Sequence, residues 1–118
     1  MKENLRLKKQ LGFNEYQDLA SRTANEELNG PQAMCNYSMG AAGEAGEALD
    51  MIKKIVFHDH ELNRHELAKE LGDQLWYISQ LARLINFSLE DIATMNVNKL
   101  KARYPEGFSS ERSVNRES

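Results

Sequence analysis

The chain has 118 residues and a formal net charge of −3, room for one domain and no basic field able to hold a nucleic-acid backbone. With 41% hydrophobic and 28% charged residues it is not a disordered chain. No apolar run approaches the roughly 20 residues that span a bilayer, no signal peptide is visible, and Cys35 is the sole cysteine, so the sequence reads as a reduced, cytoplasmic protein without an internal disulfide.

Residues 1–12 carry Lys2, Arg6, Lys8 and Lys9 with little apolar periodicity and read as a basic N-terminal arm. A first helix is predicted from Asn14, an N-cap with Gln17 three positions on, through Tyr16, Leu19, Ala20, Thr23, Ala24 and Leu28. Asn29-Gly30 is expected to end it. Pro31 then suits the first turn of a second helix, whose stripe of Met34, Tyr37, Ala41, Ala45, Ala48, Ile52 and Ile55 runs to about Phe57. His58-Asp59-His60 is a polar break. Asn63 with Glu66 opens a third helix striped by Leu67, Leu71, Leu75, Ile78, Leu81 and Ile85, and Ser88 with Asp91 opens a fourth, with Leu89, Ile92, Met95 and Leu100, ending near Tyr104-Pro105. Alternating β-branched runs are absent. The expectation is an all-α, four-helix bundle-like protomer over residues 13–104, followed by a coreless tail over 105–118.

One near-repeat stands out. Glu44-Ala45-Gly46-Glu47 on the second helix is answered, after a spacer of 22 residues, by Glu70-Leu71-Gly72-Asp73 on the third. Residues three apart on a helix differ by roughly 60° in direction and about 4.5 Å in height, so each acidic pair shares a face. A hairpin turning at His58-Asp59 would bring the two pairs level. Gly40, Gly43, Gly46 and Gly72 are expected to let the two backbones approach closely. Two like charges at 4 Å cost roughly 4 kcal/mol at an effective dielectric near 20, so four converging carboxylates either hold protons or surround a cation. Hard oxygen donors match Mg²⁺ or Mn²⁺, and Mg²⁺ held by few carboxylates usually also holds phosphates. A solvated face is the ordinary reading of either pair alone, but Glu44 lies among Met39, Ala41, Ala42, Ala45 and Ala48, and Asp73 among Leu71, Leu75 and Trp76.

Taken with its flanks, the pattern resembles the MazG-like branch of the all-α nucleoside triphosphate pyrophosphohydrolases. The resemblance runs through Ala20-Ser21-Arg22-Thr23, Gly43-Glu44-Ala45-Gly46-Glu47 with Lys53-Lys54, Glu70-Leu71-Gly72-Asp73-Gln74-Leu75-Trp76-Tyr77, and Asn96-Val97-Asn98-Lys99-Leu100 with Arg103-Tyr104-Pro105-Glu106-Gly107-Phe108. It covers roughly residues 14–112. It implies Mg²⁺-dependent cleavage of nucleoside triphosphates between the α and β phosphates, with Glu44, Glu47, Glu70 and Asp73 as metal ligands and Glu44 or Glu47 acting on the attacking water. On that footing Lys53, Lys54, Lys99 and Arg103 are the cations for the phosphates, Asn96 a hydrogen-bonder to phosphate or sugar, and Tyr77 a stacking surface for base or sugar. Trp76 is a second stacking candidate or interface core. Arg112 in the tail is a further phosphate contact. A homodimer or homotetramer is implied, with neither nucleic acid nor membrane as partner.

The remaining polar groups have plainer readings. His58, His60 and His65 lack a thiolate set and sit at a helix break, which favours a solvated turn over zinc. Cys35 is expected to be core, since no base lies near it. Lys53 and Lys54 also fit ordinary lysines near a helix C-terminus. A di-iron bundle needs Glu-x-x-His pairs, and Glu47 and Asp73 stand where His would be. The competing class is a non-catalytic helical interaction module that keeps an acidic metal-binding cluster.

Overall fold

The structure, a computed structural model, describes residues 10–116. Its elements are α1 (Phe13–Ala20), a 3₁₀ turn (Ser21–Thr23), α2 (Gly30–Phe57), α3 (Arg64–Leu84), α4 (Leu89–Arg103) and α5 (Ser110–Val114). The described residues contain no β-strand, and none of their helices is long and apolar enough to cross a membrane. Lys2, Arg6, Lys8 and Lys9 of the expected basic arm lie outside the described residues.

The chain is dominated by the α2–α3 hairpin. Asn29 caps α2, its Oδ1 accepting from Gln32 N at 2.8 Å while Gln32 Oε1 accepts from Asn29 N, and Pro31 sits in the first turn. Asn29-Gly30 therefore starts α2 and does not end the preceding helix. At the other end Asp59 adopts φ 59°, and Asn63 Oδ1 accepts from Glu66 N to open α3. Ser88 Oγ likewise accepts from Asp91 N at the start of α4. The starts of α3 and α4 use the cap residues that the sequence predicts, whereas Asn29, expected at the end of the preceding helix, is the cap of α2.

The first helix departs from expectation. It stops at Ala20, because Ser21 Oγ donates to Asp18 O and Thr23 Oγ1 donates to Ala20 O, side-chain bonds that compete with continued helix. Its N-cap is Gly12, with no side-chain cap bond. Asn14 instead accepts from Glu90 N at the start of α4. Gln17 is buried, donating to Ser79 O and Phe87 O and accepting from Leu89 N, each near 3 Å. The two residues read as a local capping pair thus fasten α1 to the corner between α3 and α4. Within the tail, residues 110–114 form a fifth helix, none of whose residues is buried.

The interior is small. Its buried apolar residues are Ala20, Ala33, Tyr37, Ala48, Ala82 and Leu89, joined by Gln17, Ser79 and Gln80. Much of each predicted stripe is exposed, including Met34, Ile52, Leu71, Ile78, Ile85 and Met95. The radius of gyration is 17.3 Å, where a compact chain of this length would have about 13–14 Å. The excess lies partly in α4, which packs on α1 and α3 at its start but is exposed at every residue from Thr94 to Ala102. Cys35, expected in the core, is exposed with its Sγ 3.4 Å from Met39 Sδ. It sits two residues from each of the buried Ala33 and Tyr37, and two helical residues point about 200° apart. Among the four glycines expected to let helices approach, only Gly40 does so: a Cβ there would overlap the Tyr77 ring, while Gly43, Gly46 and Gly72 face open space.

Candidate functional site

The hairpin brings the acidic pairs together. Carboxylate oxygens of Glu44 and Glu47 on α2 and Glu70 on α3 lie within 4.8 Å of one another, the only such group of three metal-binding side chains among the described residues. Glu44 and Glu70 are half-buried and Glu47 is exposed. A hydrogen bond shared with Glu70, then partial burial, then the charges of Asp73, Glu70 and Glu47 raise the Glu44 carboxyl to about 7. Glu70 Oε2 is buried and has no hydrogen-bond partner. A buried carboxylate oxygen left without a donor carries a desolvation cost that a cation would offset. Crowded oxygen donors, a carboxyl held near neutrality and an orphaned acceptor all fit a hard divalent ion.

Asp73 is not one of the three. It is exposed and stands next to the cluster, raising Glu44 and, after burial, the Tyr16 hydroxyl. With Glu44, Thr23, Trp76 and Tyr77 it lines a cleft of about 360 Å³. Two aromatic rings form one wall. Trp76 Nε1 donates to Ala20 O at 2.9 Å and Thr23 Oγ1 at 3.0 Å, which fixes the indole against the end of α1. Tyr37 and Tyr77 both meet Trp76 edge to face, at 5.7 and 5.0 Å between ring centres. Trp76 is therefore both packed on its own chain and part of the cleft. In the sequence Tyr16 is only a stripe residue, and Thr23 is a stripe residue and part of the Ala20-Ser21-Arg22-Thr23 resemblance; neither is marked there as a site residue, because α1 reaches the site through the long-range bonds of Gln17 and Trp76.

The cations separate into two groups. Lys53 and Lys54 both pair with Asp50, at 3.4 and 2.9 Å, and those pairs, Lys54 first, pull the Asp50 carboxyl below its ordinary value. Lys99 and Arg103 on α4 and Arg112 on α5 line a second cleft, of about 760 Å³, together with Arg116. Arg116 was not singled out from the sequence. Asn96 is exposed on α4 and lines neither cleft. His58, His60 and His65 are exposed and outside the acidic group; His58 and His60 lie in the turn between α2 and α3, and His65 lies in the first turn of α3.

Three comparisons bear on this arrangement. The family model for the MazG nucleotide pyrophosphohydrolase domain matches residues 32–108, a span that includes all but the first two residues of the hairpin and all of α4. The Gene 37 protein of Mycobacterium phage L5 is 35% identical over 100 residues, covering 78% of this chain and 88% of that protein. No solved structure matches the chain.

Proposed function

The chain belongs to the MazG nucleotide pyrophosphohydrolase family, and from that membership we propose that it hydrolyses nucleoside or deoxynucleoside triphosphates between the α and β phosphates. The products are a nucleoside monophosphate and pyrophosphate, in the service of nucleotide-pool control or housecleaning. The observation that carries the reading is the meeting of Glu44, Glu47 and Glu70 within 4.8 Å across the hairpin.

Glu44, Glu47 and Glu70, with Asp73 beside them, would hold Mg²⁺, or Mn²⁺ in its place. When bound, such an ion neutralises phosphate charge and makes a coordinated water more acidic. The chain's own side chains do the rest. Glu44 or Glu47 takes the proton of the water that attacks the α phosphorus. The bond from that phosphorus to the bridging oxygen breaks, and pyrophosphate departs with the oxygen. The Tyr77 and Trp76 wall of the smaller cleft receives the nucleoside, with Tyr77 as the stacking surface. Lys99, Arg103 and Arg112 grip the outer phosphates, and Asn96 hydrogen-bonds phosphate or sugar. Lys53 and Lys54 reach a phosphate only by releasing Asp50, an exchange between exposed ion pairs worth roughly 0–1 kcal/mol. A homodimer or homotetramer would cover the exposed apolar residues of α2 and α4.

The test is product analysis. Each nucleoside and deoxynucleoside triphosphate is incubated with the protein and Mg²⁺, and pyrophosphate is separated from orthophosphate. Pyrophosphate with monophosphate is the expected result. Orthophosphate with diphosphate would place the cut between β and γ and overturn the reading. No turnover with any of them would return the chain to the class of non-catalytic helical modules.

A further inference from the structure

The hairpin register that sets Glu44 beside Glu70 and Asp73 also decides what stands one helical turn further from the His58-Asp59 reversal. There Gly40 on α2 faces Tyr77 on α3, and a Cβ on Gly40 would overlap Cδ1, Cε1 and Cζ along one edge of the ring. Glycine inside a helix is less favourable than alanine, and at this position the missing side chain is where the ring lies. The ring also meets the Trp76 indole edge to face, at 5.0 Å between centres. That indole is fastened by its bonds to Ala20 O and Thr23 Oγ1 and by the buried Tyr37 ring at 5.7 Å. A ring lifted off α2 therefore has a helix backbone behind it and a fixed indole beside it, neither of which makes way. The open space next to it is the smaller cleft, which Tyr77 lines with Thr23, Glu44, Asp73 and Trp76.

We propose that Gly40 is a positioning residue for the nucleoside: by letting the Tyr77 ring lie back on α2 it sets the width of the cleft, and that width admits two-ring purine bases as well as one-ring pyrimidines. Gly40 does not line the cleft and acts only through the ring. An aromatic face stacks on any base and by itself selects little, so selection falls to where the face stands. A single misplaced carbon in an apolar pocket changes discrimination roughly 10-fold or more. The inference rests on the reading of the cleft as the nucleoside site and goes beyond it to a residue that touches no ligand.

Gly40→Ala, Tyr77→Ala and the double substitution test it, with purine and pyrimidine nucleoside triphosphates and Mg²⁺ as substrates. Gly40→Ala should raise KM for the purine substrates roughly 10-fold more than for the pyrimidine ones, with kcat on pyrimidines changed only about 2-fold. Tyr77→Ala should raise KM for both classes. The double variant should behave as Tyr77→Ala does, because a Cβ at position 40 then meets no ring. Full addition of the two losses would assign Gly40 to helix packing alone and overturn the proposal, and so would equal KM changes for the two base classes in Gly40→Ala. Should Gly40→Ala not fold, substitutions of the ring on unaltered Gly40 carry the test: Tyr77→Phe should keep the purine-to-pyrimidine KM ratio and Tyr77→Trp, which reaches further into the cleft, should raise it. The opposite order would overturn the proposal. Trp76, the sole tryptophan, gives a readout without turnover. Quenching of its fluorescence by nucleoside monophosphates in chelator should weaken in Gly40→Ala, more for purines than for pyrimidines. A chain that hydrolyses no triphosphate but shows that pattern would sink the proposed reaction and leave the role of Gly40 standing. Turnover with unchanged base selectivity in Gly40→Ala would do the reverse, and no nucleotide binding at all would sink both.

Discussion

The α2–α3 hairpin and the α4–α5 arm solve opposite problems with the same helical material. In the hairpin, 28- and 21-residue helices pack along each other, and the contact carries like charges: three carboxylates, one of which has an acceptor oxygen with no donor. In the arm, α4 leaves the bundle after its first turns, and the segment behind it folds back to gather four cations. Each half has an unbalanced charge of one sign. On the proposed reading, a nucleoside triphosphate with a divalent ion would be the kind of ligand that answers both. Gln17 is the pin between the halves, since its three hydrogen bonds hold α1 to the corner from which α4 departs.

The sharpest way to break the comparison is to neutralise the acidic half alone. Glu70→Gln removes a candidate ligand and the partner that raises Glu44. Turnover should fall on the order of 100-fold or more. Saturating Mg²⁺, which should add about 2–3 kcal/mol of stability to the unaltered chain at 100 times its Kd, should then leave the melting temperature flat. A variant that keeps both activity and the Mg²⁺ response would remove Glu70 from the site. The pin is the next target. Gln17→Leu leaves the carbonyls of Ser79 and Phe87 and the N–H of Leu89 without their partner, which should cost about 3 kcal/mol and lower Tm by roughly 10 °C. A change within a degree or two would mean that water replaces those bonds and that the two halves are joined elsewhere.

The sequence carries the hairpin well because its signals are local. Pro31, Asn63 and Ser88 each act within three residues of where they stand, and the two acidic pairs inherit their alignment from helix geometry and one turn. Asn14 and Gln17 look like the same kind of signal, but their partners are 70 or more residues away for most of their bonds, and nothing in a local pattern distinguishes a cap from a long-range tie. The glycine rhythm fails for a related reason: a missing Cβ permits close approach, and only the Tyr77 ring over Gly40 uses it. The apolar stripes do not mark the buried side of every helix, since α3 buries Ser79, Gln80 and Ala82 and leaves Leu71, Ile78 and Ile85 of its stripe exposed, and periodicity does not say what lies against a face. Lys99 and Arg103 are one helical turn apart and legible as a pair, whereas Arg116 reaches them only through the positive φ of Gly107.

The smallest effect separates the halves by pH. In a chelator, Glu44 keeps its proton up to about pH 7 in the folded chain because of Glu70, partial burial and the nearby charges, against an ordinary value of 4.5. A carboxyl whose folded value is raised favours folding most fully below its unfolded value, and that contribution is lost as pH rises through the folded one. Tm in chelator should therefore decline between about pH 4.5 and 7 relative to Glu44→Gln, which cannot titrate. The difference between the two chains reports Glu44 together with the carboxyls that interact with it. Saturating Mg²⁺ should erase the decline, because an ion among the carboxylates takes the place of the proton and favours the charged form. Pyrophosphate in chelator should leave the decline in place, since the cations it would engage stand on α4 and α5 and the proton stands on α2. Equal erasure by both ligands would mean that the acidic and cationic halves act as one site even without the ion.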